Sequence, residues 1–378
     1  MINILDKKDC CGCGACAQRC PKQCISLVED TEGFLYPSVD TTICVDCGLC
    51  EKVCPVLNPK EVMRPIDLHV YQNPDRDVLY NSSSGGAFSA IAQKVIDRHG
   101  VVFGAKYNEN WCVCHGAAQT QEELEAFQGS KYVQSYIGNA FIEAEQFLKE
   151  GRLVLFTGTP CQVAAFKLFL RKEYDNLLTL DFVCHGVPSP MIWRDYLAYL
   201  NPEKKNITHI NLRDKKRGWS RYSYLIEAGD SSLYDDYAAN SLYLRGFIDH
   251  LYIRPSCYDC PAKEGKSHSD ITLADCWGID KVHPELNDNT GLSAVKLNTL
   301  KAQDFCKDIF TNDYLLPYNV FVTSNPSYTN SPEIPKWRSL FWGLYPEQSF
   351  NAINVINKKK QPSIPKRLLL KIKHTILK

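Results

Sequence analysis

The chain has 378 residues, with 43 basic and 43 acidic side chains, and this balance removes any global electrostatic case for nucleic-acid binding. Eighteen cysteines are many for this length, and in a long chain opening Met1-Ile2-Asn3-Ile4-Leu5-Asp6-Lys7-Lys8, with no apolar signal core, they are expected to be reduced metal ligands rather than a disulfide framework. No apolar run approaches the ~20 residues that span a bilayer, so the expectation is a soluble, cytoplasmic protein.

Ten cysteines precede residue 55, which marks residues 1–60 as a small first domain. Eight of them fall into two copies of one pattern, Cys10-x-x-Cys13-x-x-Cys16-x-x-x-Cys20-Pro21 and Cys44-x-x-Cys47-x-x-Cys50-x-x-x-Cys54-Pro55. Three thiolates at this spacing wrap three corners of a cubane, and in bacterial ferredoxins the fourth serves the other cluster. Cys10, Cys13, Cys16 and Cys54 are therefore assigned to one [4Fe–4S] cluster, and Cys44, Cys47, Cys50 and Cys20 to a second. Zinc would instead take two separated cysteine pairs around one ion. Cys11 and Cys24 fall outside the pattern and read as spectators. Between the runs, Ile25–Val28 and Phe34–Val39 predict two strands joined by a turn at Asp30–Gly33. Two clusters this close make a one-electron wire, which needs something at each end.

Asn58–Pro65 reads as a linker, and residues 61–345 as one larger domain. Apolar runs at Val101–Gly104, Leu153–Phe156, Leu178–Val183 and Ile271–Leu273 alternate with helical patterns, which predicts an α/β fold with a mainly parallel sheet. Ser82-Ser83-Ser84-Gly85-Gly86 opens a helix and suits an anionic phosphate, though a plain Ser cap with a Gly turn suffices. Gly129-Ser130-Lys131-Tyr132 would place a cation beside a cofactor, unless it is only a surface turn. Thr157-Gly158-Thr159-Pro160-Cys161 and Cys184-His185-Gly186 each follow a strand; if those strands are sequential and parallel, both loops lie on one sheet edge. Cys161, Cys184 and the pair Cys257-x-x-Cys260 would then complete a third site of four thiolates, with Cys276 the rival for the fourth position. Asn206–Asp230 reads as a β-rich insertion, and Arg213–Trp219 as a basic loop for an anionic substrate or as a solvated charge run. Cys112, Cys114 and His115 read as strand residues, and Cys306 as core. Residues 346–378 form a basic tail; from Lys358 onward it is either a solvated terminus or an amphipathic helix resting weakly on an anionic membrane surface.

Taken in order, these motifs resemble the beta subunit of coenzyme F-420 hydrogenase/dehydrogenase, in its form with an N-terminal two-[4Fe–4S] ferredoxin domain. The resemblance rests on the double cysteine run, Ser83–Gly86, Gly129–Tyr132, Gly158–Gln162, Cys184–Pro190, Arg213-Asp214 with Gly218-Trp219, Cys257-x-x-Cys260, and Ser269–Ile271 with Asp275-x-Trp277-Gly278. It implies FAD in the α/β domain and a third [4Fe–4S] cluster. Ser83, Ser84, Gly85, Gly86, Thr157, Gly158 and Thr159 are then expected near FAD, with Lys131 and His185 in the same cofactor-binding set. Cys161, Cys184, Cys257 and Cys260 are favoured as ligands of the third cluster. The activity implied is a flavin-dependent iron–sulfur oxidoreductase that exchanges electrons with a donor or acceptor such as ferredoxin, and a hydride with an organic substrate or deazaflavin-like coenzyme. The alternative is an electron-transfer subunit whose substrate site lies on a partner protein. No residue stands out as the catalytic acid or base.

Overall fold

The computed structural model describes residues 1–311 and 314–360. In the first module, β1 (Ile25–Glu29) and β2 (Leu35–Val39) pair antiparallel, with Ile25 opposite Val39 and Glu29 opposite Leu35. The Asp30 carboxylate fixes the turn by accepting from the Glu32 and Phe34 backbone N–H groups at 3.0 and 2.9 Å. Each cysteine run rises into a single turn of helix, Ala15–Arg19 and Leu49–Lys52. The residue before each is a glycine in the left-handed region, Gly14 at φ +70° and Gly48 at φ +69°, where a side chain would be strained. Helices this short are not stable alone, so their contacts must hold them.

The remaining strands are β3 (Asp67–Tyr71), β4 (Val101–Tyr107), β5 (Val113–Ala118), β6 (Val154–Thr157), β7 (Leu177–Phe182), β8 (Ile207–Asp214), β9 (Ser223–Ala228), β10 (Ser231–Tyr237), β11 (Ile271–Asp275) and β12 (Ser293–Leu297). Seven form one sheet in the order β3-β12-β11-β7-β6-β4-β5. The expected parallel sheet is found at its centre, where β11, β7, β6 and β4 run parallel; β12, β3 and β5 add antiparallel edges. The period of two sends Val154 and Phe156 of β6 into the aromatic core with Phe141, Phe166 and Phe169, and Leu155 to the other face with Ile91, Val95 and Val102. Helices at Ala87–Asp97, Ala140–Lys149 and Pro160–Leu170 supply the covering residues.

The β-rich insertion is the separate antiparallel sheet β8-β9-β10, and it runs on to Tyr237 rather than ending at Asp230. It shares a core with the helix Asn351–Lys360, whose Ala352, Ile353 and Ile356 are buried there. The basic tail therefore begins as a packed helix, and Lys360 pairs with Asp249; residues 361–378 lie outside those described. Among the described residues, no helix is long and apolar enough to cross a membrane.

Candidate functional site

Pseudo-symmetry in the cysteine runs folds the two loops toward each other. Cys16 lies beside Cys10, Cys54 and Cys50, and burial first, then those neighbours, pushes its thiol up to about 12. Cys13 adjoins Cys11, Cys16 and Cys10. The structure thus brings the fourth cysteine of the second run to the first. On the other side, Cys20, Cys24, Cys44, Cys47 and Cys50 line one hollow. Cys20 and Cys24 sulfurs stand 3.3 Å apart, and the Ile2 N–H points at the Cys50 sulfur at 3.2 Å. All eighteen cysteines are free. A donor set of open thiol groups with N–H groups aimed at sulfur suits iron–sulfur clusters.

A further thiol group forms at the carboxyl edge of the parallel strands. Because β6 and β7 are adjacent and parallel, the loops after Thr157 and Phe182 emerge side by side. Cys161 and Cys184 come from these loops, and Cys257 and Cys260 from the short 3-10 turn Pro255–Asp259 and its end. Burial raises Cys184 to about 12 and Cys260 to about 11, and raises Cys257 well above its ordinary value; Cys184 faces Cys161 and Cys260, and Cys257 faces Cys184, Cys260 and Cys161. Cys276 lies elsewhere, fully buried in a core with Trp219, Leu292 and Phe321. Cys11, outside the motif, is buried and contacts both Cys13 and Cys161. It therefore bridges the first cysteine run and the third thiol group.

The Cys161 loop is held by a buried chain of hydrogen bonds. His115 Nε2 must donate to the Thr157 carbonyl at 3.0 Å, so its Nδ1 accepts from Ser135 Oγ at 2.8 Å. Burial keeps this histidine neutral, down at about 4. Ser135 Oγ accepts from Gln162 Nε2 at 3.0 Å, and Gln162 Oε1 accepts from the Thr159 N–H at 3.0 Å. Thr159 Oγ1 is 3.2 Å from the Cys161 sulfur. Thr157, Gly158 and Thr159 thus serve the thiol loop. His185 pairs through Nε2 with His250 Nε2 at 2.8 Å and through Nδ1 with Ser327 Oγ at 3.2 Å. Neither group lines the main cleft.

That cleft, about 980 Å³, opens beside the helices Arg76–Asn81 and Ala87–Asp97 and is lined by Tyr107, Gly129, Ser130, Lys131 and His209 among others. Burial brings Lys131 down to about 7; its Nζ donates to the Gln128 carbonyl at 2.7 Å. The Tyr107 hydroxyl is buried without a partner. Ser130 reaches Ser83 at 2.8 Å, so the Ser83–Gly86 loop lies behind the wall. Arg213 makes a two-pronged pair with Asp275 at 3.0 and 3.1 Å, donates to the Ser83 carbonyl at 3.0 Å, and leaves its buried Nε unpartnered. Lys215 donates to the Leu79 and Ser84 carbonyls. Gly85 admits no side chain, since a Cβ would stand 2.2 Å from the Tyr71 carbonyl oxygen.

The molecule is an α/β protein carrying a ferredoxin-type iron–sulfur module. Residues 9–58 match the 4Fe-4S dicluster domain, and residues 151–317 match the C terminus of the coenzyme F420 hydrogenase/dehydrogenase beta subunit. The chain thus joins an N-terminal 4Fe-4S dicluster domain to a region similar to the C terminus of the coenzyme F420 hydrogenase/dehydrogenase beta subunit. It is similar to one of the subunits of the F(420)H(2) dehydrogenase of Methanosarcina mazei, 26% identical over 194 residues, which are 49% of this chain and 55% of that one. Its first module is similar to a 7Fe ferredoxin of Hydrogenibacillus schlegelii, 45% identical over 42 residues, 11% of this chain and 47% of that protein. The chain spans about half the length of these relatives. Among solved structures, a chain of the F420-reducing [NiFe] hydrogenase complex of Methanosarcina barkeri aligns with a TM-score of 0.47 at 13% identity, covering 79% of this chain and 93% of that one.

Proposed function

We propose that this protein is a flavin-dependent iron–sulfur oxidoreductase. It joins two ferredoxin-type [4Fe–4S] clusters, a third [4Fe–4S] cluster on Cys161, Cys184, Cys257 and Cys260, and FAD, which exchanges a hydride with an organic substrate or deazaflavin-like coenzyme. The observation that carries this reading is the meeting of those four thiols at the carboxyl edge of the parallel strands, one buried cysteine away from the first run. Ligands in open α/β sheets bind at that edge.

FAD, when bound, supplies two-electron hydride chemistry on one side and one-electron exchange with clusters on the other. The cleft lining carries the Tyr107 hydroxyl, buried without a partner, and the Lys131 cation, with the acids Asp75, Asp77 and Glu125 nearby on the same wall. Tyr107 and Lys131 suit the acceptor groups of a ligand and the carboxylates its hydroxyl and amine donors. Ser83, Ser84, Gly85 and Gly86 shape the wall, while Thr157, Gly158, Thr159 and His185 lie on the thiol side and hold the Cys161 and Cys184 loops. Electrons travel in either direction, with a soluble ferredoxin-like protein as the external partner.

A second reading, a wire whose substrate site lies on a partner, is favoured by the relative's designation as one subunit of a dehydrogenase. The test is turnover by the isolated chain. Anaerobic protein should release FAD on heating and should reduce a flavin-type or deazaflavin acceptor with dithionite-reduced dye. Bound FAD without turnover favours the partner-dependent reading, and a protein that neither binds FAD nor takes it up on reconstitution overturns the flavin assignment.

A further inference from the structure

Arg254 is 1% exposed and sits three residues before Cys257. A buried guanidinium without an anion is costly and is normally matched by a carboxylate. Here the ionisable groups facing it are the Cys10, Cys11 and Cys257 thiols and the Tyr36 phenol. The acids of the turn opposite, Asp30 and Glu32, are already paired with Lys7 and Arg338. Its N–H groups are directed with care. Nε donates to the Cys10 carbonyl at 2.6 Å, Nη2 to the Leu35 carbonyl at 2.9 Å and toward the Cys10 sulfur at 3.5 Å, and Nη1 to Gln134 Oε1 at 3.1 Å. Its plane lies over the Tyr36 ring at 4.3 Å and near Phe34 at 5.3 Å. Gln134 completes the arrangement by donating to the Cys11 carbonyl at 3.0 Å. The Arg254 carbonyl in turn accepts from the Cys257 N–H at 2.9 Å.

We infer that Arg254 is the counter-cation of the cluster on the first cysteine run, raising that cluster's reduction potential and clamping its loop against the loop that bears Cys257 and Cys260. A cubane held by four thiolates is an anion in both redox states, and more so once reduced. It therefore supplies the missing counter-charge, and a buried cation touching a ligand sulfur favours the reduced form. One side chain then sets both the driving force and the spacing for electron transfer between the first cluster and the third thiol group. The inference rests on the ligand assignments proposed above, and concerns a positioning and tuning role.

The test is potentiometric titration of anaerobic holo-protein followed by EPR, with iron content measured in parallel. Arg254→Gln should move one ferredoxin-type signal to more negative potential, by a factor of at least about ten in its redox equilibrium, or 59 mV for one electron. The other N-terminal signal should stay in place. Arg254→Lys keeps the charge and loses the fork, and should stay near the wild-type potential. Full iron with unchanged potentials in Arg254→Gln overturns the inference. If Arg254→Gln loses iron, Arg254→Lys decides alone, since full iron with a fallen potential overturns the charge role. A shift confined to the signal that Cys161→Ser abolishes assigns Arg254 to the third site and also overturns it. Absence of that signal in the wild type counts against the third cluster and leaves the Arg254 result standing.

Discussion

Lys131 is a cation held where charge is expensive. Burial alone lowers it to about 7, and no carboxylate is among the causes that shift it. Its ordinary value is 10.5, so the unfolded chain holds a proton that the folded chain releases between about 7 and 10.5. Stability contributed by this group therefore rises with pH through that window, while its usefulness as a cation falls. An anionic ligand in the cleft should be held best below about pH 7. Measured as FAD retention after gel filtration, wild-type retention is expected to decline as pH rises from about 6 to about 9. Lys131→Arg should flatten the profile at the high end, and Lys131→Met should flatten it at the low one. An identical pH profile in Lys131→Met removes Lys131 from the binding role. The sequence marked this lysine, because a Gly-Ser-Lys-Tyr turn is local. It did not mark Arg254 or Gln134, because nothing beside either residue in the chain reveals that both will face Cys10 and Cys11.

At the scale of elements, the first cysteine loop is shaped by its glycines. Gly12 has φ +71°, and a Cβ there would stand 2.5 Å from Arg254 Nη1 and 2.7 Å from Gln134 Nε2. Arg254 cannot swing aside, since its guanidinium is held to the Cys10 and Leu35 carbonyls. Gly12→Ala should therefore cost about 1–3 kcal/mol from backbone strain and crowding, read as a lower denaturant midpoint of anaerobic holo-protein. An unchanged midpoint with full iron would mean that the loop and Arg254 are less tightly engaged than described. Such loops were legible because three of the four ligands assigned to each cluster follow one another at three-residue spacing. The central strands were legible as well, since β4, β6 and β7 are short apolar runs with both faces buried. The β3–β12 edge was not. β3 finds its partner β12 near the other end of the chain, and that pairing leaves no local mark on Asp67–Tyr71.

Across the whole molecule, the first module is tied to the body by charge as well as by sulfur. Arg19 meets Glu145 at 3.3 Å, Arg194 meets Glu29 at 2.6 Å, and Arg338 pairs with Glu32. Gly33 packs against the Met191 helix turn so closely that a Cβ would stand 2.2 Å from Met191 Cβ. The module is thereby fixed with Cys11 against Cys161. The four thiols of the third group are spread over about one hundred residues of sequence and meet only because β6 and β7 lie side by side and the Pro188–Ile253 bridge brings the Cys257 turn to them. Strand-end logic could suggest Cys161 and Cys184 as neighbours, but the sequence left Cys276 open as a rival; the structure buries it in another core. The measurement that bears most directly on the electron path is iron per chain in anaerobic protein, for the wild type and for Cys257→Ser/Cys260→Ser. Three cubanes predict about twelve irons in the wild type and about eight in the double variant, with the ferredoxin-type signals retained. About eight irons in both proteins would contradict the third cluster and break the proposed path between the first module and the cleft.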